Sequence, residues 1–423
     1  MNILILGSGG REHAFALKIA NSKLTKRLYV APGNSGTQQI ATNIPININD
    51  FEEVKRISLE LEISMIVVGP EDPLVNGIHD FFAKDIQTKS IAIIGPKKKA
   101  ASLEGSKDFA KKFLIRHNIP TASYATFTKD NLNEGLEFLK TLTPPYVLKA
   151  DGLAAGKGVL IMDNLDEANN ELREMLVGEK FGKASSKVVI EEFLDGIELS
   201  CFVLTDGVNY KVLPTAKDYK RIGEGDSGLN TGGMGAISPV PFAKKELLNK
   251  IEQNIIIPTI QGLKKDGIEY QGFIFIGLIN VNDEPKVIEY NVRMGDPETE
   301  AVLPRIQNDF VEIFQSFKDK TLDKIELKID NRSAATVVLV SGGYPSNYNK
   351  GIKITGIDRV VDSTVYHAGA IQKEGSVYTN GGRVLAITSF GDNFQQALDN
   401  SYKSASKINF DRMYYRKDLG FDL

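Results

Sequence analysis

Residues 2–6, NILIL, form a short apolar run that passes directly into Gly7, Ser8, Gly9 and Gly10. Residues 11–20 then place Ala14, Leu17 and Ala20 on one face at helical spacing. The alternation repeats. An apolar strand at 27–31 ends in PGNSGT, another at 65–68 ends in GPEDP, and a third at 91–94 ends at Gly95 and Pro96. Strands closed by Gly or Pro and separated by helix-length sequence predict an open α/β domain, whose ligands gather at the carboxyl ends of the strands.

Near residue 99 the pattern changes. Residues 107–117 read as a helix with Phe109, Phe113 and Leu114 on its apolar face. Strand patterns follow at 124–127, 146–150, 188–192, 198–204, 272–279 and 287–291, too much sheet for a helical insert. An apolar strand at 334–340, short strands at 365–367 and 383–387, and a helix over 397–408 make a small mixed closing domain. The expected architecture is therefore α/β and multidomain, divided into an N-terminal α/β domain at 1–103, a central α+β region at 104–330 and a C-terminal domain at 331–423.

Composition narrows the function. A chain of 423 residues exceeds one hydrophobic core, so two to four domains are expected. Its formal net charge of −3 gives no electrostatic reason to bind nucleic acid. Cys201 is the single cysteine, which excludes an internal disulfide or a thiolate zinc cluster, and its apolar setting predicts burial. His13, His79, His117 and His367 are far apart in sequence and match no HExxH spacing, so a zinc hydrolase is not expected. The first apolar run lacks a preceding basic region, and no stretch of about eighteen apolar residues occurs, so a cytoplasmic location with no membrane partner is the expectation.

The first loop fits only part of a dinucleotide fingerprint. Gly7 and Gly9 match its first two glycines, but Glu12 stands at the third, and no acid ends the second strand. Anion binding remains favoured, because Gly9 and Gly10 expose amides at a helix N-terminus and Arg11 adds a fork of donors. Asn34, Ser35 and Gly36 are placed to line the same crevice, with Glu71 and Asp72 suited to sugar hydroxyls.

Further along, KADGLAAGKGV sets Lys149 and Lys157 beside a glycine-containing loop suited to ATP phosphates. Its spacing is not that of a P-loop. Lys107, ahead of this loop at the start of the region's first helix, is placed to supply another phosphate contact. Glu191, Glu192, Phe193 and Leu194 form a connector able to offer backbone groups to adenine, with Glu198 as a carboxylate for ribose. On the strand at 287–291, Glu289 and Asn291 share a face by the two-residue period and supply hard oxygen ligands for Mg²⁺. Arg293 and Asp296 follow immediately.

The segments LEGSK (103–107), KADGLAAGKGV (149–159), EEFLDGIELS (191–200), TGGMGAISP (231–239) and EYNVRMGDPETE (289–300) resemble the phosphoribosylamine–glycine ligase family of ATP-grasp enzymes. The likeness extends from ILGSGGREHA to YHAGA and GGRVLAIT. It implies a mobile lid at about 124–195 and a purine-synthesis reaction joining glycine to 5-phosphoribosylamine through a glycyl phosphate, with ATP as co-substrate. Mg²⁺ is the implied ion, with Mn²⁺ as alternative, and a monomer is expected, with a weak dimer as alternative. By resemblance Lys107 and Lys149 contact phosphates, Glu289 and Asn291 hold the metal, and Gly9, Asn34 and Arg293 belong to the phosphoribosylamine site.

The loop holding Gly233 and Gly235 is expected to wrap the acyl phosphate, with Asp218 and Arg221 beside the substrates. Three positions depart from the family pattern: Ile237 for a frequent Tyr, Met294 for Phe and Glu300 for Gln. Glu300 is expected to add negative charge near the metal. Other readings are a different ATP-grasp ligase or a non-catalytic nucleotide sensor.

Overall fold

A computed structural model gives the structure of the chain and describes residues 1–154 and 158–423. The N-terminal sheet has five parallel strands in the order Thr42–Asn43, Arg27–Pro32, Asn2–Gly7, Met65–Val68 and Ala92–Ile94. All six residues of Asn2–Gly7 are buried, as a central parallel strand covered on both faces requires. From it the chain builds outward to one side, then returns to the other at Met65–Val68. That reversal brings the loops after Gly7 and Val68 to one crevice.

The central region contains two four-stranded antiparallel sheets and the small hairpin of Arg221–Gly223 and Ser227–Asn230. One runs Tyr124–Thr128, Lys187–Glu191, Tyr146–Ala150 and Val159–Met162, with helices Leu132–Lys140 and Leu165–Leu176 packed on it. Leu139, Leu148, Leu172 and Ile190 give it a core of its own. The other runs Tyr210–Val212, Ile197–Thr205, Gly272–Val281 and Glu284–Asn291. There Phe202 stacks on Phe275, with ring centroids 5.2 Å apart, and Phe15 of the first helix packs against Phe273.

The closing sheet runs Lys217–Asp218, Gly235–Ser238, Ser333–Val340, Arg383–Gly391 and Thr364–His367. Two of its strands thus come from the middle of the chain. They are too short for period-two patterning to register. The last helix spans Phe394–Ala405, starting three residues before its expected position, because the Asn393 side chain caps it by accepting the Gln396 N–H at 2.9 Å. Among the described residues no helix is long and apolar enough to cross a membrane.

Candidate active site

Glu289 and Asn291 end the Glu284–Asn291 strand, one residue apart from Tyr290, whose ring turns into the core and whose hydroxyl meets Thr259 at 2.6 Å. Alternation therefore puts both oxygen-bearing side chains on the opposite face from Tyr290. Gly277 sits across the ladder from Glu289, and a Cβ there would press on the Glu289 side chain. Among the described residues no three His, Cys, Asp or Glu side chains form a ready-made ion cage. One carboxylate and one amide match an ion that completes its shell with phosphate and water, the usual manner of Mg²⁺.

Arg293 bridges two carboxylates, Glu71 at 3.2 Å and Glu104 at 2.8 Å. Glu104 also accepts the Val292 N–H at 2.7 Å, which fixes the chain just past the metal pair. Burial and the nearby Glu71 push Glu104 up to about 7 against the pull of Arg293. Glu71 moves the other way: although burial opposes it, Arg293 and Arg11 hold its carboxyl below the ordinary value. Glu71 is therefore committed to Arg293, while Asp72 beside it is exposed.

The N-terminus of the first helix, Gly10–Ala20, differs from the expected open phosphate cradle. The Glu12 side chain folds back to accept the Gly9 N–H at 2.5 Å, and Asp296 accepts the Arg11 N–H at 3.3 Å. Protein carboxylates thus take two of the amides expected to serve an anion. Nor does Arg11 offer its fork outward. Its guanidinium is buried, pairing with Glu12 at 2.7 Å and donating to the Met294 carbonyl at 3.0 Å. Gly10 allows the helix to approach Glu300, because a Cβ at that position would collide with the carboxyl.

Glu300 also departs from expectation. It is 1% exposed, and neither carboxyl oxygen has a hydrogen-bond partner among the described residues. Burial and the neighbouring Asp296 raise its pKa well above the ordinary 4.5, which favours the neutral acid over an added negative charge. Folding then retains a proton that the unfolded chain loses above pH about 4.5. The stabilising contribution is complete below that pH and is lost as pH rises, by up to about 1.4 kcal/mol per pH unit. Glu300→Gln keeps the shape and removes the titration. Its stability advantage over the natural chain should widen between pH 5 and pH 8 in urea melts, whereas parallel curves would show that Glu300 is ionised in the fold.

Asn34, Ser35 and Gly36 also point inward. Asn34 donates to the carbonyls of Ser8 at 2.9 Å and His367 at 2.7 Å, and accepts the N–H groups of Gly36 and Thr37. Ser35 meets His367 Nδ1 at 2.7 Å, and Gly36 leaves room for the His13 ring. The His367 N–H donates to His13 Nδ1 at 2.9 Å. Burial pushes His13 down to about 3 and His367 to about 4, so both are neutral at pH 7. These residues join the N-terminal and C-terminal sheets through internal contacts. A separation of 354 residues hid the histidine pair.

The lysines face a shared counterion. Lys149, at the end of the Tyr146–Ala150 strand, lies 3.0 Å from Glu191, and Lys111 approaches the other oxygen at 3.0 Å. Burial opposes ionisation of Glu191, but Lys149 and Lys111 hold its pKa below the usual value. Its carboxylate therefore faces the lysines. Glu192 accepts the Ser123 N–H at 2.9 Å and donates its own N–H to the Ser123 carbonyl. Phe193 is exposed, and the backbone groups of Phe193 and Leu194 have no protein hydrogen-bond partner among the described residues. Lys107 starts the helix Lys107–Arg116, its N–H donating to the Asp151 carbonyl at 3.0 Å. Lys157 lies outside the described residues.

Lys220, missed by the sequence reading, bridges Glu198 at 2.8 Å and Asp218 at 3.0 Å. Burial and Asp218 raise the nearby Glu298 to about 7. Arg221 begins a hairpin and donates to the Gly228 carbonyl at 2.8 Å. Gly233 has φ +120° and lies so near Pro297 that a Cβ would collide. The loop is shorter than expected: Gly235 is already a buried strand residue, pressed between Leu419 and the Thr336 carbonyl, so close packing explains its lack of a side chain. Arg383, also missed, pairs with Asp296 at 3.0 Å. LEGSK and GGRVLAIT contained Glu104 and Arg383, but only the folded geometry shows their partners.

A separate lid-like sheet, a metal-capable strand end and converging basic and acidic side chains define an ATP-grasp ligase. The Phosphoribosylglycinamide synthetase N domain matches residues 1–104, the ATP-grasp (A) domain 105–299 and the C domain 334–422. The chain belongs to the phosphoribosylglycinamide synthetase family. Its reaction is the ATP-dependent ligation of glycine to phosphoribosylamine in purine biosynthesis.

Phosphoribosylamine–glycine ligase from Vibrio vulnificus (strain CMCP6) is 45% identical over 426 residues, covering 100% of this chain and 98% of the relative. The crystal structure of phosphoribosylamine–glycine ligase from Thermotoga maritima has a TM-score of 0.85 at 36% identity, covering 99% of this chain and 100% of that one. The biotin carboxylase domain of Hydrogenobacter thermophilus 2-oxoglutarate carboxylase, solved with MgADP and bicarbonate, has a TM-score of 0.73 at 17% identity, with 99% and 94% coverage. At that identity the likeness concerns the fold.

Proposed function

We propose that the ligation runs through a glycyl phosphate, made at the end of the Glu284–Asn291 strand. The placement of Glu289 and Asn291 on one face, four and two residues before Arg293, carries this reading. Glu289 and Asn291 would hold Mg²⁺, with Mn²⁺ as its substitute; the ion supplies charge neutralisation for phosphoryl transfer. Lys149 and Lys107 flank the triphosphate, the Phe193 and Leu194 backbone receives adenine, and Glu198 meets ribose.

Amide formation from a free carboxylate would require an oxide leaving group. Transfer of the terminal phosphoryl group to glycine replaces it with phosphate, which leaves when the amine attacks carbon. Arg293 orients and neutralises anionic groups, while Asp218 and Arg221 border the amino substrates. Gly233 lets the loop close over the acyl group and exclude water, whose attack would waste ATP. The crevice after Gly7 and Val68 receives phosphoribosylamine, with Gly9, Gly10, Asp72 and Asp296 at its edge and Asn34, Ser35 and Gly36 supporting it from behind.

The working division is 1–103, 104–330 with a mobile lid at about 124–195, and 331–423; the self-contained core of the lid sheet supports that lid. The catalytic unit is read as a monomer, with a weak dimer as alternative, and charged, water-soluble substrates support a cytoplasmic setting. ATP, Mg²⁺, glycine and freshly generated phosphoribosylamine should yield ADP and glycinamide ribonucleotide, followed by mass. Ligation of another carboxylate with no glycine product would overturn the assignment.

A further inference from the structure

The hairpin that pairs Arg221–Gly223 with Ser227–Asn230 carries much of its surface in solvent, and a two-stranded ribbon alone is marginal in water. It follows Asp218 and Lys220 and leads into Gly232 and Gly233. Thr231 closes its base, donating from its N–H and its hydroxyl to the Lys220 carbonyl, each at 2.7 Å.

Arg416 fastens its far end. This side chain is 0% exposed, and it donates to both oxygens of Asp418 at 2.8 and 2.7 Å in the forked geometry that guanidinium favours. Its other terminal nitrogen reaches the hairpin, donating to Asp226 at 2.5 Å and to the Arg221 carbonyl at 3.2 Å. Asp418 also accepts the Gly225 N–H at 2.7 Å, and Glu224 accepts the Lys417 N–H at 3.3 Å. The guanidinium lies 5.3 Å from the Tyr219 ring centre and 5.7 Å from that of Phe421. At the stem, Asp422 accepts from the Tyr219 hydroxyl and pairs with Lys217, both at 3.0 Å.

We infer that Arg416 is a positioning residue for ligation: through Asp226 and the Arg221 carbonyl, the C-terminal strap at 416–422 seats the 219–233 flap over the reacting acyl group. The inference rests on the reading that Asp218, Arg221 and Gly233 border that group. A buried guanidinium joined to one carboxylate within the strap and another on the hairpin fixes their relative orientation. A lysine cannot reproduce both the fork and the third contact. Loss of the fastening leaves the strands intact but lets the flap move, so glycine is held less well and water reaches the acyl phosphate.

The test compares Arg416→Met and Asp226→Asn with the natural chain, measuring ADP and glycinamide ribonucleotide in the same reaction together with thermal unfolding. The natural chain should release ADP and amide in equal amounts. Arg416→Met should raise KM for glycine by about tenfold, with a smaller change in kcat. It should also release ADP in at least about twofold excess over amide. Asp226→Asn should shift the ratio in the same direction, and Arg416→Lys should recover coupling only in part. Unchanged KM and equal ADP and amide in Arg416→Met, with only a lower melting temperature, would overturn the inference. Should that variant not fold, full coupling in Asp226→Asn would overturn it. Absence of glycinamide product from the natural chain would instead overturn the underlying substrate reading.

Discussion

Glu289→Ala is expected to lower kcat/KM by about a thousandfold while leaving the fold intact. The side chain is only half-buried and projects from the face opposite Tyr290, so its removal opens no cavity in the core. What disappears is the only carboxylate of the proposed metal pair. The remaining Asn291 amide is a neutral donor and binds a hard divalent ion far less strongly. Higher Mg²⁺ should recover part of the activity, and Mn²⁺ should recover more, because it binds oxygen and nitrogen ligands with less geometric demand. Circular dichroism and urea melts should match the natural chain. Unaltered Mg²⁺ dependence with full turnover would place the metal elsewhere.

Arg293→Ala should affect both folding and chemistry. It leaves Glu71 and Glu104 facing one another without the cation that joins them. Breaking one partner out of such a network costs about 3 kcal/mol, the lower end of the buried range because Glu71 remains partly accessible. Turnover should fall by about a hundredfold or more, since Arg293 also neutralises anionic groups during transfer.

The pH dependence has a definite sign. Glu104 already lies near 7, and removal of Arg293 raises it further, so the variant folds most stably with Glu104 protonated. Its stability should rise as pH falls from 8 to 6, while that of the natural chain changes less over the same interval. Urea melts at the two pH values test this. Equal deficits at both would show that Glu104 does not titrate there. Arg293→Lys keeps one charge but not the bridge, and should be better folded than Arg293→Ala yet still impaired in turnover.

The N-terminal strands and the strand with Glu289 and Asn291 were readable because apolar continuity and two-residue alternation are local properties. Tyr290 turns inward as that alternation requires. The site's supporting residues were less legible. Asn34, Ser35 and Gly36 looked like loop residues available to a ligand, yet their partners are His367 and His13, contributed from distant parts of the chain. Arg11 looked like an anion donor because nothing local shows that Glu12 folds back onto it.

Glu300 presents the same limit in another form. Its sequence shows an acid, whereas burial beside Asp296 raises its pKa and favours the neutral form. The strands Lys217–Asp218 and Gly235–Ser238 were missed because their pairing with each other, and that of Gly235–Ser238 with Ser333–Val340, supplies an order that a two- or four-residue pattern cannot encode. Long-range partners, more than residue identity, therefore separate the groups that touch substrate from those that hold the site in shape.

The proposed chemistry predicts a specific route for one oxygen atom. When a glycine carboxylate oxygen attacks the terminal phosphorus of ATP, it forms the bridge of glycyl phosphate. Attack by phosphoribosylamine on the carbonyl carbon breaks the carbon–oxygen bond, and the oxygen departs with phosphate. Glycine labelled in both carboxylate oxygens with ¹⁸O, incubated with the enzyme, ATP, Mg²⁺ and phosphoribosylamine, should transfer one labelled oxygen to each phosphate released and retain the other in the amide. Mass spectrometry of the phosphate reads the result directly. Unlabelled phosphate formed in step with glycinamide ribonucleotide would contradict activation of glycine through an acyl phosphate.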